Sequence, residues 1–432
     1  MKKLLPTLLF AAAGFTLHAQ NLIIPHHNRT CGVMDHEAQL EQKNPNRAAE
    51  RASYELLLQN TMNQRTGNSV QSVRTIPVVV HVVYSTTAQN ISANQVLSQI
   101  LVLNQDFTRT NADASSTPSA FQSVSSSANV QFCLAKQDPN GNWTDGIDRR
   151  QTTVSSFIDD DKVKSSSTGG ANAWDPTRYF NIWVCNLGGG LLGYAEFPTG
   201  SSSNTYGVVI GYNYFGSNYT SYGSGFSLDP YYNRGRTATH EIGHCFNLYH
   251  IWGDDGGSCS GSDLCADTPN QGSETYGAPT FPQTDNCATT SPGIMFMNYM
   301  DYTDDVAMNM FTINQCSRIN SVLNSGPYSG LPSSNVCTPA GISPLTANLI
   351  GASVYPNPST SGQFTVNVDL ANRSNLTFRV HSSLGQLVKT VTENNTYGGT
   401  YAVNLSEQPN GVYFIEITAG DETSIQRIVI SK

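Results

Sequence analysis

His240-Glu241-Ile242-Gly243-His244 sets two imidazoles four residues apart, with a carboxylate beside the first. On an α-helix, positions i and i+4 share one face, so both rings can reach a single metal ion. Zinc suits such ligands. Glu241 would project beside it, placed to take a proton from water and later hand it to a leaving amine. The five-residue pattern alone is a modest signal, and its continuation sharpens it. His250 completes the spacing H-E-x-x-H-x-x-N-x-x-H. Asn247 tolerates the left-handed conformation that ends a helix, so the chain can turn there and return His250 as a third ligand. Three nitrogen ligands leave one position for water, as a catalytic zinc requires; a structural zinc would need a fourth protein ligand. The chemistry expected is hydrolysis of peptide bonds.

Those side chains need a scaffold, and the chain supplies its pieces in order. Ile76–Tyr84 is a continuous β-branched run, the pattern of a buried strand. Ser92, with Gln95 three residues on, predicts a capped helix to about Phe107. Residues 129–135, 179–187 and 191–197 are strand-like, with Gly188, Gly189 and Gly190 making a tight connection between the last two. Residues 199–227 read as a long irregular loop holding one strand. The helix of the histidines should start near Thr237, and another should run from about Asn314 to Leu323. The segment between them lacks periodicity and needs clips from disulfides or ions. After Val354 the chain turns all-β, with short strands separated by turns, the pattern of a small sandwich. Upstream, residues 37–63 have helical character without an apolar stripe strong enough for a core, and read as part of a pro-segment. The expected fold is α+β. A twisted mixed sheet with helices lies above a zinc cleft, an irregular subdomain lies below it, and a small all-β sandwich follows.

Length and charge agree with this plan. The 432 residues allow two or three domains. A net charge of -9 excludes nucleic acid or an anionic membrane as a general partner and suits bound cations such as calcium. Lys2 and Lys3, the apolar stretch Leu4–Leu17 and Ala19 predict a signal peptide over 1–19, too short to span a bilayer. No other segment could cross a membrane. The exported chain then meets an oxidising compartment where disulfides persist. Nine cysteines are an odd number, so one must be unpaired or used differently; Cys31 stands apart from the rest.

The long histidine motif resembles that of the metzincin clan, and Asn298-Tyr299-Met300-Asp301-Tyr302 resembles the methionine turn beneath its zinc. More narrowly, NIWVCNLGGGLLGYAEFP, GRTATHEIGHCFNLYHIWGDD, DTP at 267–269, MFMNYMDYTDD and MNMFT are similar to blocks of the pappalysin family, over about residues 75–325. The resemblance implies a hydrophobic floor from Met300 and an intermediate-stabilising hydroxyl from Tyr302. It implies an edge strand, with Gly193 and Tyr194, along which substrate lies antiparallel. Asp305 would floor the pocket for the residue after the scissile bond and select Arg or Lys. Calcium would be held by Asp254, Asp263, Asp267 and Thr268, and Cys259 would pair with Cys287. Relatives commonly carry a further cysteine pair where Ala278 and Ala307 stand here. Cys31, in RTCGV, would cover the zinc in a silent zymogen, which also accounts for the odd cysteine count. An enzyme cutting before Arg could remove its own pro-segment at Arg65 or Arg74. The pairing of the remaining six cysteines stays open.

Residues 350–432 resemble the sorting domain of type IX secretion in Bacteroidetes through VYPNPSTSGQFTV, HSSLGQLVK, LSEQPNGVYFIEI and the terminal IQRIVISK. That implies export across the outer membrane, with the product free or surface-attached. The plan is a signal peptide (1–19), pro-segment (20–73), zinc peptidase (74–337), linker (338–349) and sorting sandwich (350–432). The partners are protein or peptide substrates and the secretion machinery, and the chain is expected to be a monomer. Two rival readings run against particular residues. A gluzincin would need a glutamate ligand on a second helix, against which His250 and Met300 argue. A surface-binding protein with a decayed peptidase domain is opposed by the intact His240, Glu241, His244, His250 and Tyr302.

Overall fold

A computed structural model describes residues 28–64, 72–338, 349–420 and 422–432. The signal peptide, Arg65 and nearly all of the linker lie outside the described residues. The chain divides into two compact units. One comprises Met1–Cys133 with Ile147–Pro332, and the other Leu134–Gly146 with Ser333–Lys432.

The first unit is built on a mixed sheet. Strand β1 (Arg74–Tyr84) is buried at every position from Ile76 to Val83. Such a continuous apolar run is what a strand covered on both faces requires. Beside it lie β2 (Val130–Leu134), β3 (Ile147–Gln151) and β4 (Phe180–Cys185); β6 (Val208–Gly211) and β5 (Gly193–Ala195) complete the order β2-β1-β4-β6-β5, with β3 also on β1. The β1–β3, β1–β4 and β4–β6 pairs are parallel, and only the edge strand β5 is shown antiparallel to its neighbour. Arg74 is tied down, its guanidinium donating to Leu323 O, Asn324 Oδ1 and Asn320 Oδ1.

Helix α3 (Ala93–Phe107) starts at Ser92, whose Oγ accepts from Gln95 N at 3.1 Å, as the sequence predicts. Two helices precede it in the pro-segment, α1 (Val33–Lys43) and α2 (Arg47–Asn63). Helix α4 (Arg236–Cys245) carries the histidine motif, and all of its residues are buried. Asp106 of α3 pins its first turn, accepting from Arg236 and from Thr239 Oγ1. Helix α5 (Ile313–Val322) begins with a capping box of Thr312 and Gln315.

Between α4 and α5 the chain has almost no regular structure, and carboxylates staple it. Asp255 accepts from Ser260 N at 2.7 Å and Gly261 N at 2.6 Å. Asp301 accepts from Gln271 Nε2 at 2.9 Å, and from Thr275 N and Tyr302 N at 2.8 Å each. Cys259 and Cys287 form a disulfide across this segment. Cys133 and Cys337 are also disulfide-bonded, whereas Cys31, Cys185, Cys245, Cys265 and Cys316 are free thiols. This corrects the parity reading. Five thiols are unpaired, so an odd count does not single out Cys31; only its position does.

In the second unit, β7 (Leu349–Tyr355), β8 (Gln363–Ser382), β9 (Leu387–Asn404), β10 (Gly411–Ala419) and β11 (Glu422–Ile430) form one all-antiparallel five-stranded sheet. The first half of β8 pairs with β7 and the second half with β10, with register shifts between Asp369 and Leu376. Phe364, Val366, Val368, Leu376, Phe378 and Val380 alternate into its core. No helix among the described residues is long and apolar enough to cross a membrane.

Candidate metal centre

Asn247 has φ +63, the left-handed turn expected after α4, and its side-chain amide donates to Glu55 of the pro-segment at 2.7 Å. The chain then doubles back, and His250 Nε2 comes to 3.2 Å from His244 Nε2, which is 3.1 Å from His240 Nε2. The outer ring nitrogens are all engaged: His240 Nδ1 with Tyr299 O (2.8 Å), His244 Nδ1 with Leu248 O (2.8 Å) and His250 Nδ1 with Asp254 Oδ1 (2.7 Å). Each Nδ1 is therefore the protonated nitrogen, and the three Nε2 lone pairs face one another. Burial first, then the neighbouring imidazoles, push His240 and His244 well below the usual histidine range, so both are neutral. Three converging lone pairs repel unless a cation lies between them, and buried nitrogen donors with a nearby thiol are a zinc set. Among the described residues this is the one cluster with metal-ligand spacing: Cys31, His240, His244 and His250, with donor atoms within 4.8 Å of one another.

Cys31 reaches the cluster because the pro-segment lies along β5. Leu192 N donates to Thr30 O and Gly32 N to Gly193 O, both at 2.9 Å. The Cys31–Gly193 bridge is parallel. A substrate expected to lie antiparallel there would run the other way. Burial and the Glu241 carboxylate push the Cys31 thiol well above its usual range, and it donates to Glu241 Oε2 at 3.1 Å. Burial also raises Glu241 to about 8. A bound dication inverts that logic and favours the thiolate.

Gly193 is required for this approach: a Cβ there would meet Glu241 Cγ at 2.8 Å and Val209 O at 3.0 Å. Tyr194, expected to bind substrate, offers only backbone at this edge. Its side chain is fully buried, with its hydroxyl 3.4 Å from Asp161 Oδ1 and its ring 4.8 Å from that of His36. Tyr302 packs against His240 and His250 at ring separations of 5.6 and 5.1 Å, and its hydroxyl meets Cys31 N at 3.3 Å. Met300 lies under α4, where a Cβ on Gly243 would come 2.5 Å from its sulfur.

Asp305 is fully buried, and the sequence reading missed what fills its pocket. Arg29 of the pro-segment donates to Asp305 Oδ1 at 2.6 Å, to Thr237 Oγ1 at 3.1 Å and to Thr303 O at 3.3 Å, and lies over the Tyr232 ring. The available signal was an arginine two residues before Cys31. The residues expected to hold calcium do not meet at one point. Asp263 accepts from Thr268 Oγ1 at 2.9 Å, but Asp254 is spent on His250 and Asp267 caps α5 through Thr312 Oγ1 and Asn314 N.

The family profile described as pregnancy-associated plasma protein-A matches residues 163–324, and that of the secretion system C-terminal sorting domain matches 353–431. An extracellular metalloprotease of Arthroderma benhamiae is 31% identical over 297 residues, covering 67% of this chain and 89% of that protein. Another, from Arthroderma otae, is 34% identical over 251 residues, or 57% and 76% of the two chains. The structure of mature mirolysin from Tannerella forsythia in complex with a cleaved peptide is 53% identical, with a TM-score of 0.59 over 62% of this chain and 100% of its own. A promirolysin mutant from the same organism is 48% identical, with a TM-score of 0.65 over 72% and 100%.

Proposed function

This chain belongs to the pappalysin family of secreted zinc metallopeptidases, and from that premise we propose an endopeptidase that cuts polypeptides before Arg or Lys and is silenced by residues 28–64 of its own precursor. The observation that carries the specificity is Arg29: a guanidinium occupies a buried carboxylate pocket two residues from the thiol that covers the imidazole cluster. His240, His244 and His250 would hold zinc, which when bound supplies Lewis acidity toward water and the peptide carbonyl.

The chain's own groups do the rest. Glu241, enclosed and next to the imidazoles, accepts a proton from the attacking water and delivers it to the departing amine. Tyr302 is placed to donate its hydroxyl hydrogen to the oxygen on which charge develops. The backbone of Gly193–Ala195 pairs with the substrate as an added strand. Asp305, its second oxygen held by the N–H groups of Arg234 and Arg236, receives the side chain after the scissile bond. Arg29 uses the same pocket from a chain of opposite direction, so its own peptide bond is not presented in the productive sense. The sorting tail directs secretion.

The test is cleavage of a mixed peptide library by processed protein, with and without a zinc chelator, and by Glu241→Ala. Chelator-sensitive cutting before Arg or Lys, absent in the variant, is expected. Cutting with another preference would remove Asp305 from its role.

A further inference from the structure

Beyond the pocket of Asp305, the pro-segment covers a second cation-accepting surface on the far side of the metal cluster. From Thr30 it follows β5 past Gly193, and it meets Ala195 O through His36 Nδ1 at 3.1 Å and Phe197 O through Arg47 Nη2 at 3.2 Å. Arg29 lies toward the substrate's C-terminal side of the scissile bond, so Glu196 and Phe197 lie toward its N-terminal side. Two pro-segment arginines converge there. Arg51 stacks over Phe197 at 4.0 Å and lies 5.4 Å from the Tyr249 ring, whose hydroxyl accepts from Arg51 Nη2 at 2.7 Å. Phe197 and Tyr249 are themselves near-parallel, with centroids 5.2 Å apart. Arg47 sits 3.6 Å from Glu196, a buried carboxylate whose other oxygen accepts from Thr205 Oγ1. Phe197 also packs edge-on against His244 at 5.4 Å, which places this cradle beside the reacting centre.

We propose that Glu196, Phe197 and Tyr249 form an arginine subsite of the mature enzyme, which reads a guanidinium in the substrate on the N-terminal side of the scissile bond. The inference rests on the peptidase reading above and extends it. Three features of the cradle support it. Flat aromatic faces plus a hydroxyl acceptor fit a planar guanidinium better than an ammonium. Glu196 is left without its cation once Arg47 departs. The occupants seen in the precursor are arginines, Arg51 on the aromatic faces and Arg47 beside Glu196, both also paired with Glu37 of the pro-segment, which leaves with them. The substrates favoured are polypeptides with arginines on both sides of the cut.

The experiment uses processed protein and a series of fluorogenic peptides with Arg fixed after the scissile bond. Each residue on the other side is changed in turn among Arg, Lys and norleucine. At one register Arg should raise kcat/KM about tenfold over norleucine, chiefly through KM, with Lys between them. Tyr249→Phe should reduce that ratio, and Phe197→Leu should bring it near one; using a ratio cancels any general loss of activity. A ratio near one at every register in the unaltered enzyme, with cutting otherwise intact, overturns the subsite and leaves the peptidase reading standing. Calorimetric binding of the Arg and norleucine peptides to Glu241→Ala protein, its pro-segment removed by an added trypsin-type protease, reads the same ratio without turnover. If no peptide is cut, the peptidase reading fails, while equal binding of the two peptides still overturns the subsite and a tenfold difference still supports it.

Discussion

Arg29→Ala should unlatch the pro-segment, and the size of the effect follows from the contacts it loses. Arg29 and Asp305 are both about 1% exposed, so the substitution leaves a buried carboxylate facing an empty pocket. Removing one member of such a pair costs about 3–5 kcal/mol. Asp305 keeps Arg234 N at 2.8 Å and Arg236 N at 3.2 Å on its other oxygen, which argues for the lower end. About 3 kcal/mol shifts the docked-to-open equilibrium roughly 150-fold. The assay is hydrogen exchange on the Glu241→Ala precursor, which cannot cut itself. Protection over residues 29–43 should fall by that factor in Arg29→Ala and by less in Arg29→Lys, which keeps the charge but loses the fork. Unchanged protection over 29–43, or equal loss throughout the domain, would refute the reasoning.

Three further outcomes are expected. Asp254→Asn should weaken zinc binding about 10- to 100-fold in a competition titration with a chelator while leaving the melting temperature of the metal-free protein almost unchanged, because Asp254 orients His250 through a 2.7 Å hydrogen bond. Gly243→Ala should destabilise the protein by about 1–3 kcal/mol in chemical denaturation, since the new methyl group meets the Met300 sulfur, and Met300→Ala in the same chain should recover part of that loss. Burial alone would raise the Asp161 carboxyl, but Lys164 at 2.8 Å and His36 at 2.9 Å hold it well below the usual range. A carboxylate depressed in this way contributes stability above its ordinary pKa and loses it as pH falls through the folded value. The precursor's Tm should therefore drop on acidification below about pH 4, and Asp161→Asn should lower the Tm at pH 7 and flatten that acid limb.

What the sequence made legible was whatever local geometry dictates. Helical spacing put His240 and His244 on one face, and the tolerance of Asn247 for positive φ returned His250 to them. The β-branched run at Ile76 could only be a covered strand. What stayed hidden depended on partners distant in the chain. Asp254, in an acidic loop, read as a calcium ligand; only the fold reveals His250 Nδ1 as its partner. Tyr194 lies on the expected edge strand, yet its ring turns toward Asp161 and His36, a cluster contributed by three separate segments. The cysteine parity argument failed because Cys185 and Cys245 are buried as isolated thiols in the core.

The pro-segment is the instructive case, since its weak apolar patterning hides a docking face. Helix α1 buries Val33, His36 and Glu37, and α2 buries Arg47, Tyr54 and Leu58. Half of these anchors are polar: His36 and Arg47 find partners on the enzyme, and Glu37 holds the Arg47 fork in place. Glu55 takes both Arg318 Nη1 and Nη2 at 2.8 and 2.9 Å and also binds Asn247, at the turn that carries the third imidazole. Such pairs hold firmly while they exclude water together, but each is weak once water enters. A cover made of many charged pairs therefore opens when its tether is cut. Before cleavage the segment binds at the high effective concentration of a linked chain, and afterwards it must bind as a separate molecule; on the specificity proposed above, its arginines then compete with substrate arginines for the same carboxylates. An apolar cover of the same area would seal the cleft as well and leave it less readily. The polar composition that hid the docking face from a sequence reading is thus what makes latency reversible by a single cut.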